Sequence, residues 1–217
     1  DFDEARGKSG ELAETQLSVT THGRPIDGAR VSIKCGDQDR GTIVTGEDGS
    51  ATVRLPIGEC RVKVSVAGQE FAAQRLSVVR GVDLAVPLDE YTPGIAHITV
   101  TDFEGRPIPA KLEFRGNGAT HTPNWGPETA ESFVRNLAYT PNGVVETALP
   151  SGEYDVTISR GPEYNAEFTK LSIQHNKRTS LNVRIARMVE TPGWVSADFH
   201  SHSSPSGDNT GSQRGRV

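Results

Sequence analysis

The chain repeats itself, and the repeat is written in strand-length pieces. Residues 17–33, LSVTTHGRPIDGARVSI, match residues 98–114, ITVTDFEGRPIPAKLEF. Residues 55–64, LPIGECRVKV, match residues 149–158, LPSGEYDVTI. Residues 76–78 with 82–88 match residues 171–173 with 181–185. Self-similarity in a fixed order marks a structural unit made more than once. Within each copy apolar and polar residues alternate with a period of two, which turns one face of a strand toward a core. Gly23 and Gly105 permit a left-handed turn conformation, and the prolines that follow, Pro25 and Pro107, fix their own φ. Each copy then reads as about seven short strands with turn signals between them, the pattern of a β-sandwich. The expected fold is all-β: two tandem antiparallel sandwiches over residues 12–90 and 94–188, a tail at 1–11, and little helix outside 129–137.

Composition agrees with that class. Apolar residues make up 34% of the chain, with 23 Gly and 13 Pro, which favours short strands and turns over long helices. No apolar run is long enough to span a bilayer. There is no basic cluster and the formal net charge is −5, which argues against nucleic acid as a partner. Residues 1–11 are polar and carry no apolar core of a signal peptide.

The second copy departs from the first over an inserted loop, residues 115–146. It holds His121, Asn124, Trp125, Gly126 and Pro127, followed by a short helix expected over 129–137. Trp125 either anchors this Gly/Pro-rich loop to its own domain or packs against another domain. Arg160 and Glu163, in the run Arg160-Gly161-Pro162-Glu163-Tyr164, are a second candidate contact; the alternative is an exposed turn. His22, His97 and His175 sit singly and suggest no function. No G-x-S-x-G elbow, phosphate-binding glycine loop or C-x-x-C occurs.

The chemistry-bearing segment comes last: GWVSADFHSHSSPSGD, residues 193–208. An H-x-H pair on an extended strand places both imidazoles, His200 and His202, on one face. Two neutral imidazoles can grip one divalent metal, and Asp208 offers an oxygen ligand a short loop later. Val195, Ala197 and Phe199 form an apolar alternation leading into the pair. The competing reading is a chance spacing among six histidines. A hydrolytic metal site needs three or more protein ligands and an open position, so these residues are expected to form an incomplete site with weak zinc binding at best.

The run from Ala197 to Asp208 resembles the first motif of the PHP (polymerase and histidinol phosphatase) metallohydrolases, D-x-H-x-H-S/T-x-x-S-x-D, here with Asp198 leading. Thr191-Pro192-Gly193-Trp194 looks like the entry into that domain in the carbaryl-hydrolase-like branch. The resemblance implies that residues 189–217 begin a PHP α/β barrel, with its first strand here. It implies that His200 and His202 bind a catalytic divalent metal (zinc, manganese or iron) and that Asp208 contributes to a further metal position. The family's later Glu, His and Asp ligands would come from a missing C-terminal catalytic domain or from a second chain.

The repeats themselves resemble the carboxypeptidase-regulatory-like domain, a transthyretin-like sandwich with the signature G-x-P-x-x-G-A-x-V, then D-G-x-x-x-x-x-L-P-x-G-x-Y-x-V. Copy one fits from Gly23 through Asp48-Gly49 to Val62, with Cys60 where Tyr is usual; copy two carries Tyr154 there. Such domains are generally non-catalytic companions of secreted or periplasmic enzymes and surface proteins. In the transthyretin-like arrangement the strand ending at Cys35 and the strand starting near Cys60 are antiparallel neighbours. The resemblance therefore implies a Cys35–Cys60 disulfide and a periplasmic or extracellular location; the alternative is two buried free thiols.

Two functional expectations follow. The first is a non-catalytic N-terminal scaffold of a PHP-type hydrolase, whose missing domain cuts an ester or phosphoester with a metal-activated water. The second is a purely structural or binding pair of β-sandwiches in a secreted or surface protein.

Overall fold

A computed structural model describes residues 11–126, 132–195, 197 and 199–208. Most of the 1–11 tail, the first part of the 129–137 segment, Asp198 and residues 209–217 lie outside the described residues. The chain divides between Tyr91 and Thr92 into two units.

Unit 1 holds β1 (Leu12–Thr21), β2 (Arg24–Pro25), β3 (Arg30–Cys35), β4 (Gln38–Val44), β5 (Ser50–Pro56), β6 (Gly58–Val66), β7 (Gln69–Glu70), β8 (Gln74–Val78) and β9 (Leu84–Pro87). One sheet is built on β1, which pairs antiparallel with β2 and β5 and parallel with β9. The other runs β4-β3-β6, with β7 and β8 on the far side of β6. Burial alternates strictly along β3 and along β6 from Cys60. Leu17, Val19 and Leu55 from one sheet and Val31, Ile33, Val62 and Val64 from the other join one buried cluster. Burying such side chains is the main favourable term in folding, at about 25 cal/mol per Å² of apolar surface.

Unit 2 repeats this plan with β10 (Pro93–Thr101), β11 (Ala110–Gly116), β12 (Phe133–Val134), β13 (Leu137–Thr140), β14 (Val144–Pro150), β15 (Gly152–Ser159), β16 (Glu167–Ile173) and β17 (Arg178–Arg184). One sheet is β14-β10-β17 and the other β12-β13-β11-β15-β16. The repeat extends to register. Leu17 lies beside Leu84 on a parallel partner, and its counterpart Ile98 lies beside Leu181. Gly49 and Gly143 hold equivalent corners at φ 71° and 75°. A Cβ on Gly49 would stand 2.8 Å from the Ile26 nitrogen, and one on Gly143 2.9 Å from the Ile108 nitrogen. Both sites need glycine for φ and for space.

The two units differ at one cross-strand pair. In unit 1, Cys35 faces Cys60 across β3 and β6, and the two are joined by a disulfide with Cα atoms 4.1 Å apart. In unit 2, Gly116 faces Tyr154 at the equivalent register. Tyr154 is fully buried and its hydroxyl donates to the Pro150 carbonyl at 2.8 Å. Gly116 is obligatory there: a Cβ would lie 2.1 Å from the Thr120 carbonyl oxygen, where the inserted loop turns back over the strand.

Two expectations are corrected. The segment expected as helix up to residue 137 is, over its described part, a β-hairpin of β12 and β13. Pairing with β11 and the packing of Phe133 against the core override local helix preference. The stretch expected as the first strand of a barrel contains no strand among its described residues; only a single 3-10 turn forms, at Ser204–Ser206. Val195 and Phe199 are 90% and 98% exposed. A strand needs a neighbour for its backbone groups, and none of the described residues supplies one.

The disulfide closes a sequence separation of 25 residues, worth about 3 kcal/mol in the chain-entropy model. Cys35→Ala/Cys60→Ala is expected to lower the opening free energy of β3 and β6 amides by about that amount, read by native-state hydrogen exchange, with β11 and β15 unaffected. Gly116→Ala is expected to cost roughly 1–3 kcal/mol by overpacking, seen as a lower urea midpoint.

Candidate functional site

The chain leaves the second sandwich through a docked segment. Ile185 is buried, and its amide donates to the Thr101 carbonyl at 3.0 Å. Beyond it the turn between β15 and β16 takes hold. The Asn165 amide donates to the Ala186 carbonyl at 3.0 Å, and the Ala186 amide donates to Asn165 Oδ1 at 2.6 Å. Glu163 is the centre of the clasp. Its carbonyl accepts the Met188 amide at 2.8 Å and the Val189 amide at 3.2 Å. Its carboxylate accepts Arg187 Nη2 at 2.6 Å and the Thr191 hydroxyl at 3.2 Å. Arg187 also donates to Thr191 Oγ1 at 2.7 Å. Glu163 thus contacts its own chain's exit segment and is not a solvated turn residue. Arg160 lies over the Tyr164 ring, 4.9 Å from its centroid, a cation–π contact within the same turn. Trp125 meets Phe114 edge-on at 5.4 Å and Phe133 at 5.2 Å. It anchors the inserted loop to its own core.

The histidine segment follows this clasp. The imidazoles of His200 and His202 stack with centroids 4.8 Å apart and planes 19° apart. Their Nε2 atoms approach to 2.7 Å. On the other side of His202, Nδ1 lies 2.9 Å from Asp208 Oδ1 and 2.9 Å from Ser206 Oγ. The Ser206 hydroxyl donates to Asp208 Oδ1 at 2.7 Å. With its proton committed to Asp208, Ser206 Oγ accepts from His202, so the network assigns the proton to His202 Nδ1. His202 Nε2 is then the lone-pair nitrogen, and His200 Nε2 donates to it. The hydrogen bond from Ser206, and then that from His202, holds the Asp208 carboxyl below its usual pKa.

The cluster joins two imidazoles to one carboxylate. A carboxylate on Nδ1 fixes the tautomer and turns Nε2 outward, as carboxylate–histidine–metal groups do. Only His202 presents a lone-pair Nε2 in this network; His200 would have to move its proton from Nε2 to Nδ1, and the rings to separate, before both could hold one divalent metal. Asp208 serves His202 from the opposite edge of the ring and does not share the Nε2 side. Among the described residues no group of three or more His, Cys, Asp or Glu could hold a metal ion. Sequence reasoning found His200, His202 and Asp208 but gave Ser206 no role. The S-x-D spacing carried that signal, because a 3-10 turn brings the Ser206 hydroxyl to His202 Nδ1.

No helix among the described residues is long and apolar enough to cross a membrane. No family model and no curated protein matches the sequence. Solved structures give weak likenesses. The Bacillus anthracis TIE protein is 19% identical at a TM-score of 0.35, with 81% of this chain covered and 34% of that one. This chain therefore spans about a third of that protein. The minor pilin GBS52 of Streptococcus agalactiae is 15% identical, covering 85% of this chain and all (100%) of its own, at a TM-score of 0.35. The shaft pilin spaA of Lactobacillus rhamnosus GG is 12% identical, covering 84% and 100%, at 0.41. Scores this low assign no function to this chain.

Asp208→Ala is expected to shift His202 from the Nδ1–H toward the Nε2–H tautomer, read from two-bond 1H–15N couplings of the ring. Ser206→Ala is expected to produce a smaller shift in the same direction.

Proposed function

We propose that this chain is a structural or binding pair of β-sandwiches of a secreted or surface protein. The Cys35–Cys60 bridge carries this reading. It joins two central strands of a sheet, and such structural bridges form and persist mainly in oxidising compartments. The strands of both units are spent on their own cores, which suits modules that hold a shape and present loops. The inserted loop of unit 2 and the exit segment fixed by Glu163 are the parts left to meet partners.

A second reading is favoured by the geometry of the histidines: the sandwiches are the N-terminal scaffold of a PHP-type metal-dependent hydrolase. What supports it is the opposed pair of Nε2 atoms with Asp208 and Ser206 behind His202. His200 and His202 would hold one divalent metal (zinc, manganese or iron), with the remaining ligands brought by a C-terminal catalytic domain or a second chain. Such a metal supplies a water of lowered pKa at an ester or phosphoester. The residues of this chain would bind and orient: Asp208 and Ser206 keep His202 in the ligating tautomer, and Glu163 fixes where the segment leaves the sandwich. Trp194, Val195 and Phe199 precede the pair in the chain and are 83–98% exposed, apolar side chains that a covering domain would bury.

Zinc calorimetry on the 217-residue chain tests whether the histidine pair binds metal at all. Two imidazoles without further ligands bind weakly, so a Kd of about 10 μM or weaker is expected, lost in His200→Ala and His202→Ala. Tight stoichiometric binding with hydrolysis of a nitrophenyl ester or phosphate would overturn the purely structural reading.

A further inference from the structure

Loops and the exit segment are not the whole of the exposed surface. The β4-β3-β6 sheet of unit 1 turns one face to its core and the other to solvent, and register decides which side chains meet on the outer face. Lys34 on β3 lies directly opposite Arg61 on β6, and Arg61 lies directly opposite Arg75 on β8. All three are exposed. The chain order holds no basic run, yet the sheet assembles three cations into one row across three strands. Neighbouring strands stand about 4.8 Å apart, so the row spans roughly 10 Å.

Such a row costs stability. Directly opposed side chains are the nearest neighbours on a sheet, and like charges there repel. None of the three forms an ion pair among the described residues. Asp39, opposite Lys34 on β4, accepts the Gly41 amide at 2.7 Å. Glu70 accepts Lys63 Nζ at 2.5 Å. Glu59 lies opposite Ser77, two residues before Arg61, and makes no ion pair among the described residues.

Unit 2 carries the same register with a different charge pattern. Its equivalent row is Arg115, Asp155 and Lys170, with Arg115 opposite Asp155 and Asp155 opposite Lys170. A carboxylate separates the two cations there. Glu113, two residues before Arg115, adds a second carboxylate and pairs with that arginine at 2.8 Å. By the repeat, unit 1 has Arg61 for Asp155, Ser32 for Glu113 and Lys63 for Thr157. Each exchange moves the outer face toward positive charge, in a chain whose formal net charge is −5. A charge arrangement that opposes folding in one copy, and is relieved in the other, is a broken local rule of the kind found at functional surfaces.

We propose that the outer face of this sheet binds a linear acidic polysaccharide along the row Lys34, Arg61 and Arg75. Acidic polysaccharides carry a charge on each sugar or each second sugar, a spacing of about one to two strand widths. Guanidinium groups meet flat or trigonal oxyanions through paired N–H donors. Ser32, Ser65 and Ser77 share the face and offer hydroxyls to sugar oxygens. The row and its serines include no aromatic ring to stack on a nucleobase and no apolar side chain to enter a bilayer. The inference rests on unit 1 alone and on neither reading of the histidine segment.

The test is a calorimetric titration of the full chain at physiological ionic strength. Its ligands are heparin, polygalacturonate, neutral dextran, duplex DNA and vesicles of phosphatidylcholine with phosphatidylserine. At least one acidic polysaccharide is expected to bind saturably with a Kd of about 100 μM or tighter. Which one does so tells sulfate from carboxylate. Arg61→Asp, which writes the unit 2 row into unit 1, is expected to weaken that binding by about tenfold or more and to leave the melting temperature unchanged or higher. Arg75→Gln is expected to weaken it to a smaller degree. Arg184→Asp, an exposed position on β17 with the same change in net charge, is expected to leave it unaltered. Failure of both acidic polysaccharides to bind would overturn the proposal, as would tighter binding of dextran, DNA or vesicles. So would undiminished binding by Arg61→Asp, an equal loss in Arg184→Asp, or a lower melting temperature for Arg61→Asp.

Discussion

The pairing of β3 with β6, and of β11 with β15, is the contact on which both units depend. Each of these strands sits inside its sheet with neighbours on both sides, so a slip of one residue would turn every buried side chain outward. The cross-strand pair at the end of each ladder is where the copies secure that register by different means. Unit 1 uses a covalent bond between Cys35 and Cys60. Unit 2 uses the bulk of Tyr154, its hydroxyl satisfied by the Pro150 carbonyl, over a glycine. The disulfide acts mainly by restricting the unfolded chain, whereas the tyrosine acts by burial in the folded one.

That difference extends to the inserted loop. Gly116 lets the Thr120 backbone cross close above the strand, and the Thr120 hydroxyl then accepts the Glu153 amide at 3.0 Å. The insertion is thus rooted in the same pair that holds the sheet together. Trp125, wedged against Phe114 and Phe133, ties the middle of the loop back to the core. The histidine segment is held at one end by the Glu163 clasp, and its own geometry is local, set by the 3-10 turn that carries Ser206.

Much of this was legible in the sequence because it is periodic or local. Leu17 matched to Ile98 and Leu55 to Leu149 predicted the equivalent strands, and period-two burial along β3 and β15 predicted which residues face the core. The H-x-H spacing exposed His200 and His202, and the loop after it Asp208, while Ser206 went unnoticed. What failed was what depends on neighbours. Residues 132–137 carry no strong strand pattern of their own, yet β13 pairs with β11 and becomes a strand by adoption. Val195 and Phe199 alternate like a strand but have no partner to make them one.

The sequence by itself determined the fold class, the duplication and the chemistry available at the histidine pair, since alternation, turn residues and donor types are properties of the chain order. It also placed the only two cysteines in one copy. Tertiary structure decided the rest. The fold brought Cys35 opposite Cys60 in register, set Glu163 on Arg187 and Thr191, and aligned Lys34, Arg61 and Arg75 in one row. Each of these joins residues through a distance and a direction, and those are fixed only when the strands have packed.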